Sequence, residues 1–170
     1  MNETSLGLLL GALAILILVS AFFSSSETSM MSLNRYRLKH LKGTGHRGAR
    51  RAIQLLQRPD RLIGLILIGN NLVNILASAI ATVIAIRLFG DAGIAIATLM
   101  LTLVILIYAE ITPKTIAALH PERVAFPASA LLLPLQMLLM PLVLAINSLT
   151  NGILKLMGFS PDEAGDNAVS

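Results

Sequence analysis

The sequence predicts an all-α membrane protein with three transmembrane helices, a cytoplasmic short-helix pair after the first, and a Pro-kinked juxtamembrane helical belt after the third. Three observations carry that prediction. The 170 residues are 55% hydrophobic and only 13% charged, whereas soluble domains are about 45–50% apolar and about 25% charged. Apolar runs long enough to span a bilayer recur, separated by turn residues. Nine of the 13 Lys and Arg residues fall between Arg35 and Arg61, and such a one-sided concentration marks a cytoplasmic loop.

The first run, Leu6 to Phe23, has spanning length. It lacks a basic flank before it and a small-residue cleavage site after it, so it reads as a retained helix rather than a signal peptide. The N-terminus is then outside. The basic connector, residues 35–60, turns at Leu41 to Gly48. Its flanks, Tyr36 to Leu41 and Ala49 to Gln57, have the apolar spacing of short amphipathic helices. Leu62 to Leu88 runs outward, Phe89 to Gly93 makes a tight turn, and Ile94 to Ile111 returns inward to Lys114.

Val124 to Met157 is long and apolar, but Pro127, Pro134 and Pro141 recur in it at intervals of seven, and Asn147, Ser148, Thr150 and Asn151 follow. Kinked pieces in the inner interface fit this pattern, with a fourth crossing as the alternative. The C-terminus is then cytoplasmic. Residues 1–158 form one membrane domain, and residues 159–170 a polar linker.

Several function classes fall away. Cysteine is absent, which removes disulfides and thiolate metal sites. The net charge of +4 sits in one connector without aromatic platforms or a nucleic-acid-binding motif, so it is a topology signal that can also touch anionic lipid heads. Ser24 to Ser26 offer hydroxyls, but no His or Lys lies at their depth to activate a nucleophile, so the chain does not read as an enzyme.

Each span carries one polar cluster. The first ends in Ser24, Ser25, Ser26, Glu27 and Thr28. The second contains Gly69, Asn70, Asn71 and Asn74. The third ends in Glu110 and Thr112, just before Pro113 and Lys114. Ser24 shares a helical face with Glu27 and Thr28, Asn70 shares one with Asn74, and Thr98, Thr102 and Leu106 lead to Glu110 at intervals of four. Gly69 permits local unwinding that exposes carbonyl oxygens.

A carboxylate at membrane depth costs at least about 2.5 kcal/mol on insertion scales, so it requires a partner, a proton or a cation. One carboxylate with hydroxyl, amide and carbonyl oxygens suits a hard cation: magnesium, calcium, sodium or manganese. The structural alternatives are an interfacial Glu110 paired with Lys114, and serines and asparagines that serve as packing groups. Glu27 is either neutralised by Arg35 or Lys114 or acts as a vestibule carboxylate. His40, His46 and His120 read as solvated connector residues.

Three motifs in order, Phe23-Ser24-x-x-Glu27-Thr28 with Ser32-Leu33-Asn34-Arg35, Gly69-Asn70-Asn71-x-x-Asn74, and Glu110-Ile111-x-Pro113-Lys114, closely resemble the transmembrane domain of the CorC/CNNM family. The resemblance covers essentially residues 1–158. It implies a multi-pass protein of the inner (plasma) membrane, homodimeric, that transports Mg²⁺, chiefly by Na⁺-coupled export. It also implies a dehydrated Mg²⁺ held by Ser24, Asn70 and Glu110 with backbone carbonyls near Gly69. Nucleotide-binding CBS domains are expected to follow in a full-length chain. Na⁺ is expected at an overlapping site that uses Ser25, Asn71 or Asn74. Two rivals remain: a magnesium-sensing regulator or scaffold without flux of its own, and a proton-coupled carrier of a small organic solute with Glu110 as proton carrier.

Overall fold

A computed structural model describes residues 3–159, with side chains from Ser5 onward. Every regular element among them is helical. α1 spans Glu3–Ser32, α2 Arg35–Gly43, α3 Arg47–Leu56 and α4 Pro59–Phe89; a 3₁₀ turn, Gly90–Ala92, leads to α5, Gly93–Val104. A π-helical segment, Ile105–Ile111, continues into α6, Thr112–Leu119, and α7 spans Pro121–Leu156. The expected linker from residue 160 onward lies outside the described residues.

α1 runs well past its apolar stretch and takes the serine cluster with it. Serines weaken helices by offering the backbone other partners. Here they bond back within the helix instead: Ser25 and Ser26 donate to the Phe22 carbonyl at 3.1 and 2.6 Å, and Ser29 donates to that of Ser26 at 3.1 Å.

The connector forms the expected helix pair. Asn34 caps α2 by accepting from the Tyr36 and Arg37 amides. His46, expected to be merely solvated, caps α3: its Nδ1 accepts from the Ala49 amide at 3.0 Å, and its ring lies 4.8 Å from that of Phe126. An imidazole is a rarer cap than Ser or Asp, which is why the sequence does not advertise it.

α4 and α5 form the expected hairpin. Gly90, at φ 71°, takes the left-handed conformation that the reversal needs. At Gly93 a Cβ would lie 2.4 Å from the Ala85 carbonyl oxygen, so only glycine lets the two helices start this close.

α7 corrects one expectation. The proline-rich stretch is one continuous helix, not separate pieces. Pro127, Pro134 and Pro141 are all exposed, because a spacing of seven returns to nearly the same helical face. The carbonyls that they leave without donors therefore face outward, on the side where a helix curving around a core opens its hydrogen bonds.

Several contacts fix where α7 lies. Phe126 covers Gly48, Arg51 donates to Ser129 Oγ at 3.0 Å and to the Phe126 carbonyl at 3.2 Å, and Val143 lies 3.5 Å from where a Cβ on Gly64 would be. Phe126 and Val143 are roughly 26 Å apart along a helix of 1.5 Å rise. Both nonetheless meet residues between the start of α3 and the first turns of α4. α7 therefore packs on the basic end of the bundle, against α3 and the start of α4, a placement compatible with the belt, while its length and composition would also allow a crossing.

The core sits at that same end. Met30, Leu38, Leu55, Leu62, Leu65, Ile66 and Leu132 are almost fully buried. Toward the other end the buried side chains thin to Ala77, Ala81, Ile84, Ala85 and Ala97, while Leu8, Leu18 and Leu99 are about 70% exposed. Three apolar helical spans with such outward faces suit a lipid surround.

Candidate functional site

The α1–α4 crossing brings the first two polar clusters together. Gly69 makes the close approach possible: a Cβ there would lie 2.5–2.8 Å from the Phe23 ring. One turn farther along the pair, Ser20 Oγ lies 3.0 Å from Asn70 Oδ1 and 2.6 Å from Asn74 Oδ1. A single hydroxyl proton serves two amide oxygens, so both asparagines present their oxygens to one buried point. Ser20 was not singled out from the sequence, although it lies four residues before Ser24 and hence on the same face. It lies inside an apolar run, and only the register of α1 against α4 reveals its role.

Ser24 is the anomaly. Its residue is 1% exposed, and its hydroxyl has no hydrogen-bond partner among the described residues. The neighbouring serines bond back to the helix; Ser24 does not. A buried hydroxyl left unpaired costs about 1–3 kcal/mol, so such an atom points to a ligand or water that fills the gap.

Glu110 reaches the region from the third span, on the π-helical segment. Proline explains that segment. In a regular α-helix the Pro113 ring would press on the carbonyl four residues earlier, at Ala109. Widening the turn relieves the clash, and the Thr112 amide bonds to the Ile107 carbonyl, five residues back. Pro113 has no N–H to return, so a carbonyl in the turn beside Glu110 lacks its usual backbone donor. Single π turns of this kind are frequent at functional sites.

α1 packs against the π segment and α6, whereas α4 packs along α5 and scarcely touches the π segment. The resulting cleft, about 330 Å³, is lined by Ser78, Thr102 and Glu110 among apolar neighbours. Glu110 is about one-quarter exposed and pairs with Lys114 at 3.1 Å. No hydrogen bond joins it to Ser24 or Asn70 among the described residues.

The geometry thus unites Asn70 with Asn74 through Ser20, places Gly69 under Phe23, leaves the Ser24 hydroxyl without a partner among the described residues, and sets Glu110 on a separate element, in a cleft that it shares with Ser78 and Thr102. Thr98 and Thr102, read as part of a packing stripe, are exposed and donate to the carbonyls of Ile94 and Thr98 at 2.8 and 2.6 Å. Of the residues expected for Na⁺, Asn74 belongs to the buried network, Ser25 is turned onto its own helix, and Asn71 is exposed. Lys114 is engaged by Glu110, so it does not neutralise Glu27, which makes no ion pair among the described residues. No group of three or more His, Asp or Glu side chains converges among them either. The site is one of hydroxyls, amides and a single carboxylate.

Residues 11–170 match the cyclin M transmembrane N-terminal domain. The chain is 60% identical over 144 residues to the UPF0053 inner membrane protein YfjD of Escherichia coli, covering 85% of this chain and 34% of that protein. It is 49% identical over 162 residues to a UPF0053 protein of Haemophilus influenzae, covering 95% of this chain and 39% of that one. A protein of the same organism named polyamine export protein is 30% identical over 162 residues, 88% of this chain and 38% of its own length. The chain therefore spans little more than a third of the length of these curated relatives. The chain belongs to the cyclin M transmembrane N-terminal domain family.

Proposed function

We propose that this domain carries Mg²⁺ across the membrane by alternating access around an interior oxygen site, with export driven by exchange for Na⁺. The observation that carries the reading is the buried Ser24 hydroxyl, unpartnered among the described residues, one helical turn from the Ser20 hydroxyl that ties the oxygens of Asn70 and Asn74. Mg²⁺ demands near-octahedral oxygens at about 2.0–2.1 Å and sheds water reluctantly. Ser24, Asn70, Glu110 and carbonyls near Gly69 supply neutral dipoles and one formal charge. Ser20 holds the asparagine oxygens in place before the ion arrives, which lowers the cost of ordering them. Glu110 has to leave Lys114 to take part, and the open cleft gives it room.

A second reading rests on Glu110 itself. Its carboxylate already holds a primary ammonium, that of Lys114, beside a cleft of about 330 Å³. A linear polyamine carries the same ammonium group, and one relative is named for polyamine export.

Flux in proteoliposomes that contain only this protein separates the two. The Mg²⁺ reading expects Mg²⁺ movement that responds to a Na⁺ gradient and stops in Glu110→Ala. Putrescine flux without Mg²⁺ flux would replace it with the polyamine reading. Mg²⁺ binding without flux under any gradient would favour a sensing role or a need for further domains.

A further inference from the structure

The start of α4 and the far end of α7 enclose a second polar space. It measures about 550 Å³, within the range of about 300–1,000 Å³ typical of ligand sites. Arg58, just before α4, lines it with Asp60 and Arg61 of the first turn of α4, and Asn147, Ser148 and Asn151 line it from α7. Two guanidinium groups face one carboxylate, so the pocket is net positive.

The two arginines differ. Arg58 is exposed and already rests on Asp60, at 3.4 Å from both Nε and Nη2. Arg61 makes no ion pair among the described residues, and its Nε is buried with no hydrogen-bond partner. A guanidinium cannot shed its proton, so that buried N–H calls for an acceptor.

The facing wall supplies neutral donors. Asn147 and Asn151 are one helical turn apart, with Ser148 between them. Guanidinium, amide and hydroxyl groups around one space match a group that carries negative charge on several oxygens, as phosphate does. Arginine favours such planar, multidentate recognition. A metal cation would meet two positive charges there and is disfavoured.

The surroundings point to the source of the phosphate. Leu144 completes part of the wall and is itself 43% exposed. A headgroup in the pocket would leave its acyl chains beside Leu144 and the apolar stretch of α4 that begins at Leu62.

We propose that this pocket binds the phosphate headgroup of an anionic phospholipid, with Arg61 as its charge partner and Asn147, Ser148 and Asn151 as donors. The bound lipid bridges α7 to the start of α4.

The test compares the full chain in nanodiscs of phosphatidylcholine alone and with phosphatidylglycerol, by melting temperature and by lipid titration, beside inorganic phosphate added in detergent. Phosphatidylglycerol is expected to raise the melting temperature of the wild type. Loss of a charge-assisted contact in Arg61→Gln is expected to weaken that effect about tenfold. The double substitution Asn147→Ala with Asn151→Ala leaves the buried guanidinium untouched, so it serves as a folded control, and a weaker lipid effect is expected there too. Equal phosphatidylglycerol dependence in the wild type and the double variant would overturn the site. Full protection by inorganic phosphate, with no preference among lipids, would overturn the lipid assignment in favour of a soluble phosphate.

Discussion

Where α1 crosses α4, side chains close on one another. Phe23 covers Gly69, and Ser20 ties Asn70 to Asn74. Toward the π segment the walls stand apart: a cleft of about 330 Å³ opens beside Glu110, which pairs with Lys114 one turn along its own helical stretch. The seam is fixed by sterics and paired dipoles; the cleft holds a charge whose partner is partly exposed. An alternating-access carrier needs both: one rigid wall that preserves ligand geometry, and one that can approach and retreat. Ser24 lies on α1, the helix that packs against both α4 and the π segment.

The largest effect expected from breaking this contrast is on the open side. Glu110→Ala removes the only carboxylate among the described residues that line the cleft and leaves Lys114 without its partner. Transport is expected to fall to the level of empty liposomes while the protein stays folded by size-exclusion and melting. Wild-type flux in that variant would remove Glu110 from the mechanism.

Next comes the closed side. Gly69→Val would drive a branched side chain into the Phe23 ring, which is itself packed edge-on against Phe22 at 5.5 Å. Overpacking of this kind costs about 1–3 kcal/mol, so the expected result is a lower melting temperature together with lost flux. Phe23→Leu in the same chain should restore part of both. A double variant no better than the single one would show that the glycine matters for its carbonyl rather than for the close approach.

Those two residues were legible in the sequence because their chemistry is unusual for their depth. A carboxylate before a proline, and a glycine before paired asparagines, stand out from Leu and Ile. Ser20 did not, since a lone serine within an apolar run acquires meaning only from the helix opposite. The π turn had a signal, Pro113, but the wide turn is one of several ways a helix can absorb a proline. The continuity of α7 was hidden for a similar reason. Prolines usually break helices, and only their shared exposed face makes three of them compatible with one.

Ser20 and Ser24 sharpen the comparison within a single turn of α1. Ser20→Ala leaves two amide oxygens without their donor and is expected to lower stability by about 0.6 kcal/mol or somewhat more, as a membrane-buried hydrogen bond does. Ser24→Ala removes a hydroxyl that has no partner, so stability should hold or rise slightly, while Mg²⁺ affinity falls. Melting curves with and without Mg²⁺ read both at once. Equal loss of stability in the two variants would mean that Ser24 is a packing group like its neighbour.

The smallest effect concerns Lys114. Its ammonium and the Glu110 carboxylate are partly exposed, at 46% and 27%. An exposed pair of this kind contributes only about 0–1 kcal/mol. That modest value fits the role asked of it. A stronger pair would hold Glu110 away from the incoming ion; no pair at all would leave a bare carboxylate in the cleft whenever the site is empty. Lys114→Met should therefore tighten Mg²⁺ binding by at most about fivefold, and slow the return of the empty carrier, so that affinity and turnover move in opposite directions. Tighter binding with unchanged turnover would make Lys114 a simple competitor for the carboxylate. Weaker binding would mean that the lysine positions Glu110 for the ion instead of releasing it.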